Sequence, residues 1–260
     1  MHVELTNQVA LVTGAAHRVG KAIALELARR GAHIMAHYYQ SSDDTVRETV
    51  QEIKSYGVKA FHIQADIGTV EGVEAIFEAV RESFGKLDIL VNSASMFQKR
   101  SLLEVTPEEW QQTMNVNLFG PFLCTQQAAK LMHEIPDEDP DEPSTQIHGR
   151  GGVIINICDK GSIDPWPDYA HHGVSKAGLL ALTRVSAASL GPDIRVNAII
   201  PGPVLKPEEY SEDRWAKSAL RLPLKRPGTA EDVARAVAYL AGEDFITGAV
   251  LQIDGGDSVV

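Results

Sequence analysis

The feature that most restricts how this chain can fold is an alternation. Short β-rich apolar runs trade places with longer amphipathic stretches: VALVT (9–13), a helical pattern over 18–30, HIMAHY (33–38), a helix over 43–56, KAFHIQAD (59–66), a helix over 70–84 and LDILVNSA (87–94). A helix near 107–133 follows, then GVIINIC (152–158), a helix after Tyr169, IRVNAIIPG (194–202), a helix near 230–241 and VLQIDGG (250–256). Runs that are apolar throughout, with no polar alternate face, belong to strands covered on both sides, and helices between them make the pairing parallel. The pattern predicts an α/β fold: a single Rossmann-type doubly wound domain over 1–260, its parallel sheet of about seven strands carrying helices on both faces. A chain of 260 residues is within the size one such core supports.

Two segments break the rhythm. Residues 135–152, IPDEDPDEPSTQIHGRGG, combine proline with acid and read as a surface insertion. Residues 203–228, between a strand and the last long helix, are irregular and stand where an open α/β sheet binds ligands, outside the carboxyl ends of its strands; they read as a substrate lid.

Composition removes several function classes. A net charge of −11 with no dense Lys/Arg run repels a phosphate backbone, so nucleic acid is not an expected partner. No stretch reaches the roughly twenty apolar residues of a membrane span, and the N-terminus runs straight into a glycine turn without a basic leader. A cytoplasmic location without membrane contact is the expectation. Cys124 and Cys158 sit apart in apolar segments and read as buried thiols. No metal site is expected: His171 and His172 point about 100° apart on a helix, and neither has a ligand four residues on.

After the first strand, Gly14 permits a tight turn and Gly20 lets the following helix pack closely, which aims backbone N–H groups and the helix dipole at a pyrophosphate. An ordinary βα turn also uses glycine, so the turn needs company. It has it: TGAAHRVG, Asp66-Ile67, NSAS (92–95), NVNLFG around Asn117, a lysine helix, RVNAIIPGPV and ITGAVLQIDGG succeed one another along the chain. In order and spacing these resemble the short-chain dehydrogenase/reductase family over essentially the whole length. The arginine in the glycine turn, the HYYQSS strand end, the insertion before VIINICD and the NICD segment itself resemble its pteridine reductase branch.

The resemblance implies a dinucleotide across the strand ends. Its contacts would be Gly14, Arg18, Val19 and Gly20 in the turn; His37, Tyr38, Tyr39 and Ser41 after the second strand; Asp66 and Ile67 near adenine; and Asn92, Ser93 and Ala94. Lys176 would hold the nicotinamide ribose, with Pro201, Gly202 and Val204 near the carboxamide. Lys206 replaces the family's phosphate-contacting threonine, and NSAS replaces its usual NNAG. HYYQSS offers no carboxylate for a free ribose 2′-hydroxyl, whereas Arg18 can meet a 2′-phosphate; charge complementarity favours NADP(H) over NAD(H).

Catalysis is where the chain departs from the family. Asp159 stands at the usual catalytic serine and His172, thirteen residues on, at the usual proton-donating tyrosine; Lys176 and Asn117 keep the family's types, Asn117 as anchor of a proton-replenishing water chain. Three readings of His172 stay open. Imidazole can carry the proton near neutral pH with Asp159 as its counter-charge. Tyr169, three residues before His172 on one helical face, can substitute. Or the donor is lost, leaving a non-catalytic NADP-binding or sensing protein. Trp166 reads either as a stacking surface for a flat substrate or as a loop anchor. The expected activity is NADPH-dependent reduction of a pterin-like imine or a small carbonyl compound by an atypical site, with 3-oxoacyl reduction as a rival. By resemblance the chain is expected to form a homotetramer through the helices after 107 and 173 and its final strand.

Overall fold

The computed structural model describes residues 4–133, 151–207 and 210–260. Its seven strands are β1 (Val9–Val12), β2 (His33–Tyr38), β3 (Ala60–Gln64), β4 (Ile89–Asn92), β5 (Gly152–Ile157), β6 (Ile194–Pro201) and β7 (Val250–Ile253). All pair in parallel, in the order β3-β2-β1-β4-β5-β6-β7. The helices are α1 (Arg18–Arg29), α2 (Asp43–Lys54), α3 (Val70–Phe84), α4 (Pro107–Met114), α5 (Gly120–His133), α6 (Ala170–Leu190), α7 (Glu212–Ser218) and α8 (Ala230–Gly242). This is the doubly wound architecture, with the strand order reversing between β1 and β4, the switch point outside whose carboxyl ends open α/β sheets bind their ligands.

The period-two geometry of β1 shows why its run is apolar throughout. Ala10 and Val12 face a core shared with Ile23 and Leu27 of α1 and Val233 and Val237 of α8. Val9 and Leu11 face the opposite core, with Ile76 and Val80 of α3 and Cys124 of α5. Each such aliphatic side chain contributes about 1.5–3 kcal/mol when fully buried, so polar substitution on either face of β1 would destabilise the sheet.

The helix starts are encoded locally. Ser42, Thr69, Thr106, Ser211 and Thr229 each cap the following helix with a side-chain oxygen, and Thr106 and Thr229 form capping boxes with Glu109 and Asp232.

Three boundaries differ from the sequence reading. The helix expected over 107–133 is α4, a π-helical turn at Asn115–Phe119 and α5. The π turn is a local change in hydrogen-bond register that apolar periodicity does not mark. Of the proposed insertion, 135–150 lies outside the described residues. Gly151 donates to the Asp193 carbonyl and Gly152 opens β5, so its last two residues join the sheet region. The segment 203–228 contains α7 and a 3-10 turn at Ala219–Arg221, more order than expected, because Ser211 supplies a helix cap. Among the described residues no helix is long and apolar enough to cross a membrane, and no group of three or more metal-ligating side chains assembles.

Candidate active site

The glycine turn lies at the β1/β4 switch point. Gly14 adopts φ 68°, and a Cβ there would stand 2.9 Å from Ala94 Cα; a Cβ on Gly20 would stand 2.1 Å from Gly14 O. Both positions therefore exclude side chains. Thr13 Oγ1 accepts from the N–H groups of Ser93 (2.9 Å) and Ala94 (3.0 Å), fastening the two strand ends together. The N-terminus of α1 has no side-chain cap and no acid in its first turn. Its N–H groups and dipole suit a pyrophosphate, and that arrangement fits a dinucleotide.

Side chains beyond the turn divide into those at the crevice and those turned away. Arg18 and Tyr39 are exposed, and Ser41 Oγ lies 3.1 Å from His17 Nδ1. Arg18 holds a left-handed φ of 55°. By contrast, His37 is buried: Nδ1 accepts from Gly14 N at 3.3 Å and Nε2 faces Ala65 O at 2.9 Å. Burial lowers its pKa to about 4, so it is a neutral brace between three strand ends. Tyr38 is buried too and gives its hydroxyl hydrogen to Asp43, which also engages Arg47.

Asp66 caps its own turn through Gly68 N (2.8 Å), beside buried Ile67. Asn92 points into the sheet: its Nδ2 donates to Asn156 Oδ1 (2.8 Å), and Asn156 donates to Thr183 (2.9 Å). The ladder ties β4 and β5 to α6 beneath the site. After β6, Gly202 N donates to Ile253 O and Val204 N to Gly202 O, which fixes Pro201, Gly202 and Val204 at the strand end. Lys206, in place of the family threonine, pairs with Glu212 at 2.7 Å.

At the ends of β5 and α6 the expected chemical groups converge. Asn117, brought inward by the π turn, accepts from Met96 N (2.7 Å) and donates to Met96 O (2.9 Å) and Ser175 Oγ (3.0 Å). His172 Nδ1 lies 2.8 Å from Met96 O, and Nε2 makes a short contact with Asp159 Oδ2. A carbonyl oxygen only accepts, so Nδ1 carries hydrogen, and neutral imidazole then offers Nε2 as a bare acceptor to a carboxylate. The contact is attractive only with a proton between them. His172 is thus held between the Met96 carbonyl on one side and the Asp159 carboxylate on the other, with the Asn117 amide 3.3 Å from Nδ1.

Lys176, one turn further along α6, is buried and donates to Ile157 O at 2.8 Å. Burial holds its pKa below the ordinary lysine range, opposed by the Asp159 carboxylate. Burial pushes the neighbouring Cys158 thiol up to about 11, leaving it protonated and unreactive.

Tyr169 does not share the helical face expected of it. It is the α6 N-cap at φ −135°, ψ 45°, outside the helical region, which voids the three-residue spacing argument. Its ring stacks on Phe97 at 4.5 Å and 18°. Phe97, 53% exposed, also meets the His172 ring edge-on at 4.7 Å, and Trp166 closes the cluster. Sequence reading missed Phe97, although it lies five residues after Asn92 on the strand end that leads into the site. Met96 and Ser175 were missed as well, because one acts through its backbone and the other through a helix-internal hydroxyl.

Residues 14–258 match the family model described as enoyl-(acyl carrier protein) reductase. The chain is 33% identical over 255 residues to a 3-oxoacyl-[acyl-carrier-protein] reductase of Staphylococcus epidermidis, covering 96% of this chain and 98% of the relative. It is 35% identical over 263 residues to 3beta-hydroxysteroid dehydrogenase 1 of Eggerthella lenta, covering 98% and 95%. A solved structure, a blue fluorescent protein from a metagenomic library in complex with NADPH, superposes with a TM-score of 0.84 at 33% identity, covering 97% of this chain and 98% of that one. Fold, switch-point turn and lysine helix define an oxidoreductase of the Rossmann class. The chain belongs to the short-chain dehydrogenase/reductase family.

Proposed function

We propose that the protein is an NADPH-dependent reductase of a small C=N or C=O compound carrying a flat ring, pterin-like in shape. The observation that carries the reading is the convergence of Asp159, His172, Asn117 and Lys176 beside the β1/β4 crevice. A bound nicotinamide supplies hydride. The chain holds the dinucleotide through the Gly14–Gly20 turn, Asp66 and Ile67, and the backbone near Val204, with Lys176 on the ribose. The Asp159–His172 pair stores the proton for the substrate heteroatom, and Asn117 fixes His172 by anchoring Met96. Exposed Phe97 offers the flat face on which a ring substrate stacks.

The preference for NADP(H) is supported by Arg18 at the turn, by an Asp43 carboxylate already engaged by Tyr38 and Arg47, and by the NADPH complex of the fluorescent relative. Reduction of 3-oxoacyl thioesters is a second reading, supported by the staphylococcal relative; a net charge of −11 weighs against docking an acidic carrier protein. A homotetramer in the cytoplasm is the assembly we assign. Supporting it, Phe119 and Phe122 on one side and Val174 and Val185 of α6 on the other leave apolar surface exposed; light scattering that finds a monomer at working concentration overturns it.

NADPH oxidation measured with dihydropterins, small ketones and 3-oxoacyl thioesters tests the activity and separates the substrate readings. Absence of turnover with demonstrated NADPH binding removes the enzyme reading in favour of a sensing role. His172→Tyr sharpens the answer: a fall in turnover marks an adapted donor, and a large gain marks a degenerate site.

A further inference from the structure

A carboxylate outside the candidate site joins three stretches that lie far apart in the chain. Asp257 opens a 3-10 turn at Asp257–Val259, and its side chain is 4% exposed. Its Oδ2 accepts from Lys160 Nζ at 2.8 Å, and its backbone carbonyl accepts from the same ammonium at 3.2 Å. Arg221 Nη2 stands 2.9 Å from Oδ1, an ion pair that lacks the direction of a hydrogen bond. The two arms are unequal. The Lys160 side chain is 22% exposed, whereas that of Arg221 is 63% exposed and screened by water, so the lysine arm supplies most of the attraction.

Each arm ends on a segment that borders the site. Lys160 follows Asp159 directly and begins the 3-10 turn Lys160–Ser162, in which Ser162 N donates to Asp159 O at 3.0 Å. Arg221 ends the 3-10 turn within 203–228. Close by, Leu224 N donates to Gly255 O at 3.2 Å, and a Cβ on Gly256, at φ 90°, would stand 2.6 Å from Pro223 Cγ. The turn at Asp257 is thus packed against one segment and tied by charge to the other. We propose, resting on the reductase reading above, that Asp257 is a positioning residue: its carboxylate holds the Lys160 ammonium, and with it the turn that aims Asp159 at His172. Removing the charge leaves a mostly buried ammonium whose remaining carboxylate partner is Asp164, 3.6 Å away and four residues along the same stretch. The ammonium then turns toward Asp164 and draws the backbone beside Asp159 with it. Since Asp159 covers His172 Nε2, a displaced Asp159 leaves the imidazole open, which can be read without turnover.

Diethyl pyrocarbonate labelling of the cofactor-free full chain, mapped by fragmentation of its peptides, tests the tie. In the unaltered protein the buried His172 and His37 are both expected to label slowly. Asp257→Asn and Lys160→Met are each expected to speed labelling of His172 about tenfold through local opening, with His37 changed by less than about twofold. Lys160→Arg, which keeps the charge, is expected to stay near the unaltered rate. Fast labelling of His172 in the unaltered protein overturns the proposal, as do unchanged labelling in both variants, equal rates for Lys160→Arg and Lys160→Met, or a parallel rise at His37, which marks loosening of the whole fold. Should Asp257→Asn fail to fold, the two Lys160 variants make the same comparison. In turnover, Asp257→Asn is expected to lower kcat about tenfold while KM and the Kd for NADPH stay within about twofold; a rise in KM or Kd with kcat unchanged overturns it. If nothing turns over while NADPH still binds, the reductase reading falls, and the labelling still decides whether Asp257 holds Asp159 in place.

Discussion

Asp159 and His172, thirteen residues apart, join the end of β5 to the start of α6 through a single hydrogen bond between Oδ2 and Nε2. His172 lies in the first turn of α6, and Asp159 lies two residues past β5 at the start of the 3-10 turn Lys160–Ser162. On the resemblance drawn from the sequence, the bond would stand where the family pairs serine with tyrosine, with an acid and an imidazole in place of two hydroxyls. The consequences extend to the residues that hold the pair in place.

Asn117 is the first of these. Its amide satisfies both backbone groups of Met96 and contacts Ser175, and Met96 O in turn fixes His172. Asn117→Ala leaves those buried groups unpaired, at a cost of about 1–3 kcal/mol. Thermal unfolding should shift down by roughly 2–4 °C per kcal/mol, and kcat should fall more than KM rises, because the proton pair loses its orientation while the dinucleotide turn is untouched.

His37 gives the protein an acid-sensitive brace. In the unfolded chain its imidazole takes up a proton near the ordinary histidine value of 6.5, whereas burial delays that uptake to about 4 in the fold. Its contribution is complete above pH 6.5 and is lost as pH falls through 4, an effect of about 3 kcal/mol. Urea unfolding between pH 7 and pH 4.5 should show this slope in the unaltered protein and a flatter one in His37→Gln; parallel slopes would contradict the assignment.

Arg18 combines a strained backbone with an exposed charge. Its φ of 55° is costly for any residue with a Cβ. Arg18→Gly is expected to raise stability by about 1 kcal/mol and, if Arg18 meets a 2′-phosphate, to weaken NADPH binding about tenfold while leaving NADH binding unchanged. Calorimetric titration of both dinucleotides checks it.

Phe97 is expected to matter to substrate rather than to stability. More than half of its surface is exposed, so Phe97→Ala removes little burial, and the stack on Tyr169 contributes about 0.5–1.5 kcal/mol. Its KM for flat-ring substrates should rise several-fold and its KM for small aliphatic ones hardly change. An equal rise for both would place the ring outside the substrate pocket.

The sequence by itself determined the order and kind of the secondary elements. Continuous apolar runs such as VIINI and amphipathic stretches such as 70–84 are local signals, and Ser or Thr caps mark where helices begin. Spacing also put Asp159, His172 and Lys176 on consecutive elements. What only the tertiary structure decided is which way side chains turn and what they meet. His37, Tyr38 and Asn92 occupy motif positions, yet their partners are Gly14 and Ala65, Asp43, and Asn156, contacts reached by rotamer choice inside a packed sheet. Tyr169 left the helical face because the chain enters α6 there with non-helical dihedrals. Phe97 and Met96 became part of the site because the π turn at Asn117 delivers an amide to that strand end. Periodicity is written along the chain, whereas these contacts, Tyr38 with Asp43 excepted, join residues more than 20 positions apart and exist only once the sheet has assembled.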